Sequence, residues 1–306
     1  MKKYNLVDIL KKDFKRNWSL YLMFLPILVY LVIFCYWPMN GILIAFQDYR
    51  PRLGIWGSDW VGLKHFKTFF STPSFRQIVG NTLKLSLSCL FFGFPAPIVL
   101  SLFLNELKSR RLGRMVQNIT YLPHFISTVV ICGMVMNFVG HDGFIGSFYN
   151  QIMGTKGSML TRPELYIPIY VLSNIWEEMG WGTIVYLAAL LSIDTSLYEA
   201  AEIDGAGRWA KMFNVTIPGI LPTFVITFIL RMGRILSVGS DKALLLQTDA
   251  TLKVSDIIST YTYRRGLIDQ SWGYSSAVGL FTIVINLILI TITNRISKKV
   301  SGSALW

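Results

Sequence analysis

The run Ser196-Leu197-Tyr198-Glu199-Ala200-Ala201-Glu202-Ile203-Asp204-Gly205-Ala206-Gly207-Arg208-Trp209-Ala210-Lys211-Met212-Phe213-Asn214-Val215-Thr216-Ile217-Pro218 interrupts a chain of 306 residues that is otherwise dominated by long apolar stretches. Ser196 and Glu199 stand at capping-box spacing, which predicts a helix beginning near Leu197. Gly205 can adopt the left-handed conformation that ends such a helix. Arg208 to Asn214 suit a second short helix, and the residue before Pro218 is steered out of helical geometry. The segment therefore encodes two short helices joined by a sharp bend. Its small residues, Ala200, Ala201, Gly205, Ala206 and Gly207, would let that bend enter a narrow groove on another protein. Tyr198, Trp209 and Phe213 could pack against the groove or against neighbouring helices. The competing reading is an amphipathic helix resting on lipid headgroups, which should be rich in Lys and Arg. Here Asp194, Glu199, Glu202 and Asp204 outnumber Arg208 and Lys211.

Outward from this run the chain reads as a membrane protein. It is 53% hydrophobic and only 15% charged, with a mean hydropathy of +0.48, where a soluble domain carries about 25% charged residues. A net charge of +12 would suggest nucleic acid on a soluble protein. These basic residues instead lie between apolar runs, so a membrane is the expected partner and nucleic acid is not. Cys35, Cys89 and Cys132 are odd in number and sit inside apolar runs, which excludes a disulfide scaffold.

Crossing a hydrocarbon core of about 30 Å takes roughly 20 helical residues, and six stretches qualify: about 19–46, 78–104, 116–139, 166–191, 218–240 and 275–294. The first is much longer than a signal-peptide core and ends in Tyr36-Trp37-Pro38 without a small-residue cleavage site, so it reads as a retained helix. The fifth is interrupted by Arg231 and Arg234. With the N-terminus inside, the inner segments hold fifteen Lys and Arg in 67 positions and the outer segments eleven in 91. This bias, strongest in the tail with Lys2, Lys3, Lys11, Lys12, Lys15 and Arg16, puts both termini in the cytoplasm. The expectation is an all-α integral membrane protein with one transmembrane domain over 1–306 and a core of about 78–297. A cytoplasmic loop falls at about 195–218, and external loops at about 47–77, 140–165 and 241–274.

The quoted run is similar to the EAA loop of ABC-importer permeases, whose pattern is E-A-A, three residues, G, nine residues, I-x-L-P. Glu199, Ala200, Ala201, Gly205 and Pro218 match outright, while Val215 and Ile217 are conservative departures. The Asp204-Gly205-Ala206 triplet resembles the carbohydrate-uptake (MalF/MalG-type) permeases. The stretches 238–246, 256–267 and 274–280, with the Trp37-Pro38 exit, resemble their LplB-like group. The likeness runs over most of 19–306.

This resemblance implies a type I ABC importer permease fold in a bacterial cell membrane, surrounded by lipid. It also implies a second permease subunit (a heterodimer), two cytoplasmic ATPases and an extracellular solute-binding protein that delivers oligosaccharide. ATP and Mg would be bound by the ATPase, and no cofactor by this chain, in line with its lack of a G-x-x-x-x-G-K-[ST] phosphate loop. Glu199, Ala200, Ala201, Asp204, Gly205, Ala206, Arg208, Trp209, Phe213, Val215, Ile217 and Pro218 would form the ATPase-coupling element.

Sugars are held by aromatic faces ringed with hydrogen-bonding groups. The fourth span offers Asn174, Trp176, Glu177, Glu178 and Trp181 for such a pathway, joined by Arg231 and Arg234 at i,i+3 on the fifth. Ionisable groups inside a membrane face the protein interior or a water-filled cavity. The arginines therefore either meet cargo or pair with Glu177 or Glu178 to hold helices together. Asp241, Lys242, Arg264 and Arg265 are candidate contacts for the binding protein, and Trp37, Trp56 and Trp60 read as interface or packing residues. An intramembrane enzyme is disfavoured, because His65, His124 and His141 are scattered and no H-E-x-x-H or G-x-S-x-G occurs. No metal site or catalytic group is expected. A secondary transporter would show repeats and midplane ion-coupling carboxylates, for which only Glu177 and Glu178 are available.

Overall fold

The computed structural model describes residues 6–306, so Lys2 and Lys3 of the basic tail lie outside the described residues. Five helical stretches are long and apolar enough to span a membrane: Asp13–Phe46, Phe75–Glu106, Thr128–Met153, Arg208–Met232 and Trp272–Ser301. A sixth, Pro163–Leu191, passes together with Thr195–Ile203, and the pair is bent by 66°. The six expected spans are all present, with three changes of detail. The third, expected as one helix over 116–139, is two: Arg110–Tyr121 and Thr128–Val139, separated by a 3₁₀ turn at Leu122–Phe125. Pro123 supplies the break, since it has no N–H to continue the α-helical ladder. The fifth ends at Met232 instead of reaching 240. Gly233 to Leu236 unwinds through turn hydrogen bonds, and Asn286 of the sixth span accepts from the Leu236 N–H at 3.2 Å while donating to Ser237 Oγ at 3.0 Å. The third change is that helix is not the whole of the architecture. Gln47–Asp48 pairs antiparallel with Asp59–Trp60, a two-residue ladder at the outer end of the first span.

The fourth span is the centre of the molecule, packing on the second, third and fifth. Gly180 makes this possible: a Cβ there would lie 2.0 Å from the Thr120 carbonyl oxygen, so only glycine allows the two backbones to approach so closely. The first span is peripheral. Only its outer part, Trp37–Phe46, packs substantially on another span, the sixth, and the most apolar window of the span buries none of its residues.

The segment expected as an external loop over 241–274 is folded inward. Ser240–Leu246 packs on Thr128–Val139 and buries Lys242, Ala243 and Leu246. Tyr166 and Tyr170 of the fourth span donate their hydroxyls to the carbonyls of Ala243 and Gly239, each at 3.3 Å. Thr82 Oγ1 of the second span accepts from the Ile258 N–H at 2.9 Å. Irregular backbone buried among membrane spans is tolerated only where protein groups satisfy it, and these side chains do so.

Candidate functional site

The segment 195–218 begins one turn after the fourth span ends. Its first helix is Thr195–Ile203, and its cap is Asp194, whose carboxylate accepts from the Ser196 N–H at 2.9 Å. This corrects the Ser196–Glu199 capping box: Asp194 starts the helix earlier and leaves Glu199 free at the surface. That hydrogen bond holds the Asp194 carboxyl below its ordinary pKa. The helix ends in a Schellman motif, with Ala206 N–H bonding the Ala201 carbonyl at 2.8 Å and Gly205 N–H bonding Glu202 at 3.0 Å. Gly205 takes φ +73°, the left-handed value the bend requires.

The second helix does not stop before Pro218. Arg208–Lys211 runs through a widened turn at Met212–Thr216 into Ile217–Met232 as one continuous helix. In the widened register the Ile217 N–H bonds Met212, and Asn214 Nδ2 takes up the Ala210 carbonyl at 2.9 Å. A local i→i+5 turn thus absorbs the missing proline donor. As a result the elbow and the fifth span form one mechanical piece. Three side-chain bonds mount it. Lys211 Nζ lies 2.5 Å from Glu202 Oε1, Arg208 Nε lies 3.1 Å from Glu106 Oε2 at the end of the second span, and the Tyr198 hydroxyl meets Thr216 Oγ1 at 3.0 Å. The Lys211 contact lowers the Glu202 pKa from the ordinary glutamate value. Ile203 at 88% exposure, Trp209 at 68% and Phe213 at 62% leave an apolar face with no partner among the described residues. Glu199, Ala200, Asp204, Gly205 and Pro218 are also exposed, while Ala201, Ala206, Val215 and Ile217 are half-buried.

A second feature is a cavity of about 580 Å³ between the second, fourth and fifth spans. Asn174, Glu178, Arg231 and Arg234 line it, together with Phe94, Tyr186 and Thr227. Tyr186 and Thr227, which share a 2.7 Å hydrogen bond across the fourth and fifth spans, line this cavity although the sequence did not single them out. Residues 174, 178 and 182 share one face of the fourth span by their i,i+4 spacing, and the remaining candidates point elsewhere. Trp176 lines an apolar pocket with Val135, Phe138 and Ile145. Glu177 is buried and pairs with Lys242 at 2.8 Å. Trp181 stacks on the His124 ring, with centroids 4.5 Å apart and planes 8° from parallel.

Neither arginine pairs with Glu177 or Glu178. Glu178 is 3.5 Å from His124 Nδ1, and among the described residues Arg231 and Arg234 form no ion pair. Arg234 also lies beyond the end of the helix, so the two reach one cavity from a helix and from the turn after it. His124, which looked unplaced in the sequence, is brought beside Glu178 and Trp181 by the Leu122–Phe125 turn.

Of the binding-protein candidates, Lys242 is corrected. It is 4% exposed, ion-paired with Glu177, and its ammonium sits 5.6 Å from the Tyr170 ring centroid. A cation so enclosed cannot contact an external protein in this conformation. Arg264 is held by Asp256 at 2.5 Å and Arg265 by Asp269 at 2.9 Å, while Asp241 is exposed.

The family model described as binding-protein-dependent transport system inner membrane component matches residues 93–302. Protein LplB of Bacillus subtilis (strain 168) is 42% identical over 293 residues, covering 95% of this chain and 92% of LplB. The polygalacturonan/rhamnogalacturonan transport system permease protein YteP of the same organism is 42% identical over 288 residues, covering 94% of this chain and 90% of its own length. A chain in the crystal structure of a bacterial ABC transporter involved in the import of the acidic polysaccharide alginate superposes with a TM-score of 0.87 at 41% identity, covering 95% of this chain and 99% of that chain. The continuous elbow, the six spans and these matches agree: this chain belongs to the binding-protein-dependent transport system inner membrane components, the multi-pass inner-membrane permeases of ABC importers, in which ATP hydrolysis falls to partner subunits.

Proposed function

We propose that this chain is one half of the translocation pathway of an importer for acidic oligosaccharides, paired with a second permease subunit in a heterodimer. Two cytoplasmic ATPases drive it and an external solute-binding protein supplies it. The observation that carries the cargo assignment is the pair Arg231 and Arg234, free of ion pairs among the described residues and lining a cavity large enough for part of a glycan. A uronate carboxylate would find two guanidinium groups there, and Asn174, Tyr186 and Thr227 could bond sugar hydroxyls. Charged side chains inside a membrane are costly and are retained where they serve a pathway. The relatives transporting alginate and polygalacturonan support the same cargo class.

The element 195–218 couples this pathway to the ATPase. Closure of the ATPase dimer moves the docked elbow, and because Arg208–Met232 is one continuous helix the displacement reaches Arg231 directly and Arg234 through the turn that follows. The partner's nucleotide-dependent shape supplies the differential interaction energy that such a switch needs. The test is uptake of oligogalacturonate by the reconstituted transporter carrying R231Q/R234Q. Loss of about 100-fold or more in uptake, with binding-protein-stimulated ATPase within a few fold of normal, is expected from two charge-assisted contacts. Unchanged acidic-glycan uptake would remove the cargo assignment, and an elbow variant that kept transport while failing to bind the ATPase would remove the coupling assignment.

A further inference from the structure

Residues Arg110–Tyr121 form a helix that neither the pathway nor the elbow uses. It leaves the second span at the same end as the elbow, since Glu106, four residues before it, holds Arg208. Three stripes run along it. Gly113, Val116, Gln117 and Thr120 are half-buried, on a helix that packs against the fourth span. Leu112, Met115 and Ile119 form an apolar stripe, continued by Leu122, with each residue 43% to 63% exposed. Arg110, Arg111 and Arg114, with Lys108 just before the helix, are exposed and form no ion pair among the described residues. Their position is electrostatically wrong for the helix itself. Ser109 caps its N-terminus by accepting from the Leu112 N–H at 3.3 Å, and the first turn is where a helix dipole favours anions and disfavours cations. Cations placed there against the dipole, with no acid in ion-pairing distance among the described residues, fit an external anion that meets both the guanidinium groups and the helix end. An apolar stripe beside the cationic one specifies a surface that is oily below and negatively charged above.

We propose that Arg110–Tyr121 is an anionic-phospholipid binding helix of the inner leaflet, with Lys108, Arg110, Arg111 and Arg114 on the headgroup phosphates and Leu112, Met115 and Ile119 among the acyl chains. The Gly180–Thr120 approach passes its position to the fourth span, the helix that leads into the elbow. Activity of the assembled transporter should therefore depend on acidic lipid.

The experiment places the complete transporter in nanodiscs of phosphatidylcholine with stepwise increasing phosphatidylglycerol. It reads the phosphatidylglycerol retained per transporter by native mass spectrometry, along with stimulated ATPase activity. The R110Q/R111Q/R114Q variant should need on the order of 100-fold more anionic lipid for half-maximal retention, at several-fold loss per cation. R110K/R111K/R114K should stay within about tenfold of the natural chain, because headgroup attraction needs charge more than geometry. Retention unchanged in the glutamine variant overturns the proposal. Loss of ATPase subunits from that variant on purification also overturns it, since the cations would then serve a protein partner.

Discussion

At the residue scale, two positions show how context changes what a side chain is for. Gly205 is open on all sides within this chain, so a Cβ would touch nothing, yet its φ of +73° disfavours any L side chain. Gly205→Ala should cost about 1–2 kcal/mol of local stability and keep transport. Gly205→Trp should abolish ATPase co-purification, because it fills the space the bend leaves for a partner. Co-purification that survives the tryptophan would show that nothing enters that bend. Glu177 and Lys242 looked like a pathway residue and a surface contact, and in the fold they are each other's partner. Removing one leaves a buried charge, so Glu177→Gln should lower stability by about 3–5 kcal/mol in thermal melts, whereas E177L/K242L should recover most of it. Equal damage in the single and double variants would mean that the pair is not the source of the effect.

At the scale of elements, the broken helices are the informative ones. Pro218 reads as a helix stop, and the structure passes through it by widening one turn. Arg231 reads as an interruption, and the fifth span does stop just after it. The difference lies in who satisfies the backbone. Around Pro218 the i→i+5 turn and Asn214 do so locally, whereas beyond Met232 the free groups are met by Asn286 of another span, which no local pattern encodes. Asn286→Ala should therefore loosen the segment carrying Arg234 and reduce transport several-fold, at a cost of about 1–3 kcal/mol, while leaving ATPase attachment intact. Parallel assays of uptake and subunit co-purification distinguish this from general unfolding.

At the scale of the whole molecule, the exposed surface is divided by purpose. The first span stands apart from the bundle along most of its length, with Leu22 at 57%, Phe24 at 50% and Ile33 at 51% exposure. A membrane supplies little hydrophobic drive for a helix to leave lipid, so close packing with another subunit is the expected means of holding a span this free. L22A/F24A/I33A should leave the melting temperature of the isolated chain within about 2 °C, since these residues bury almost nothing there, and should weaken its association with the second permease subunit. Pairing by cross-linking or native mass spectrometry measures this, and undiminished pairing would assign the face to lipid alone.

Number of spans, topology and the elbow were legible from the residues because each rests on a local property: about 20 apolar residues to cross a bilayer, a cationic bias across it, and a small-residue bend whose left-handed glycine has few substitutes. The pathway residues were only partly legible. One helix presents Asn174 and Glu178 to the cavity while turning Trp176 and Glu177 away, and the rotation of that helix is fixed by what packs against its other faces. The inward fold of 240–263 was invisible for the same reason. Its polar backbone is affordable at depth only because Thr82, Tyr166, Tyr170 and Asn81, all distant in sequence, meet it there. Local chemistry therefore determined that this chain crosses a membrane and carries a bent pair of short helices. Which charges line the cavity and which neutralise one another was decided by tertiary structure, because a buried charge is defined by its partner and that partner is set by the packing of separate spans.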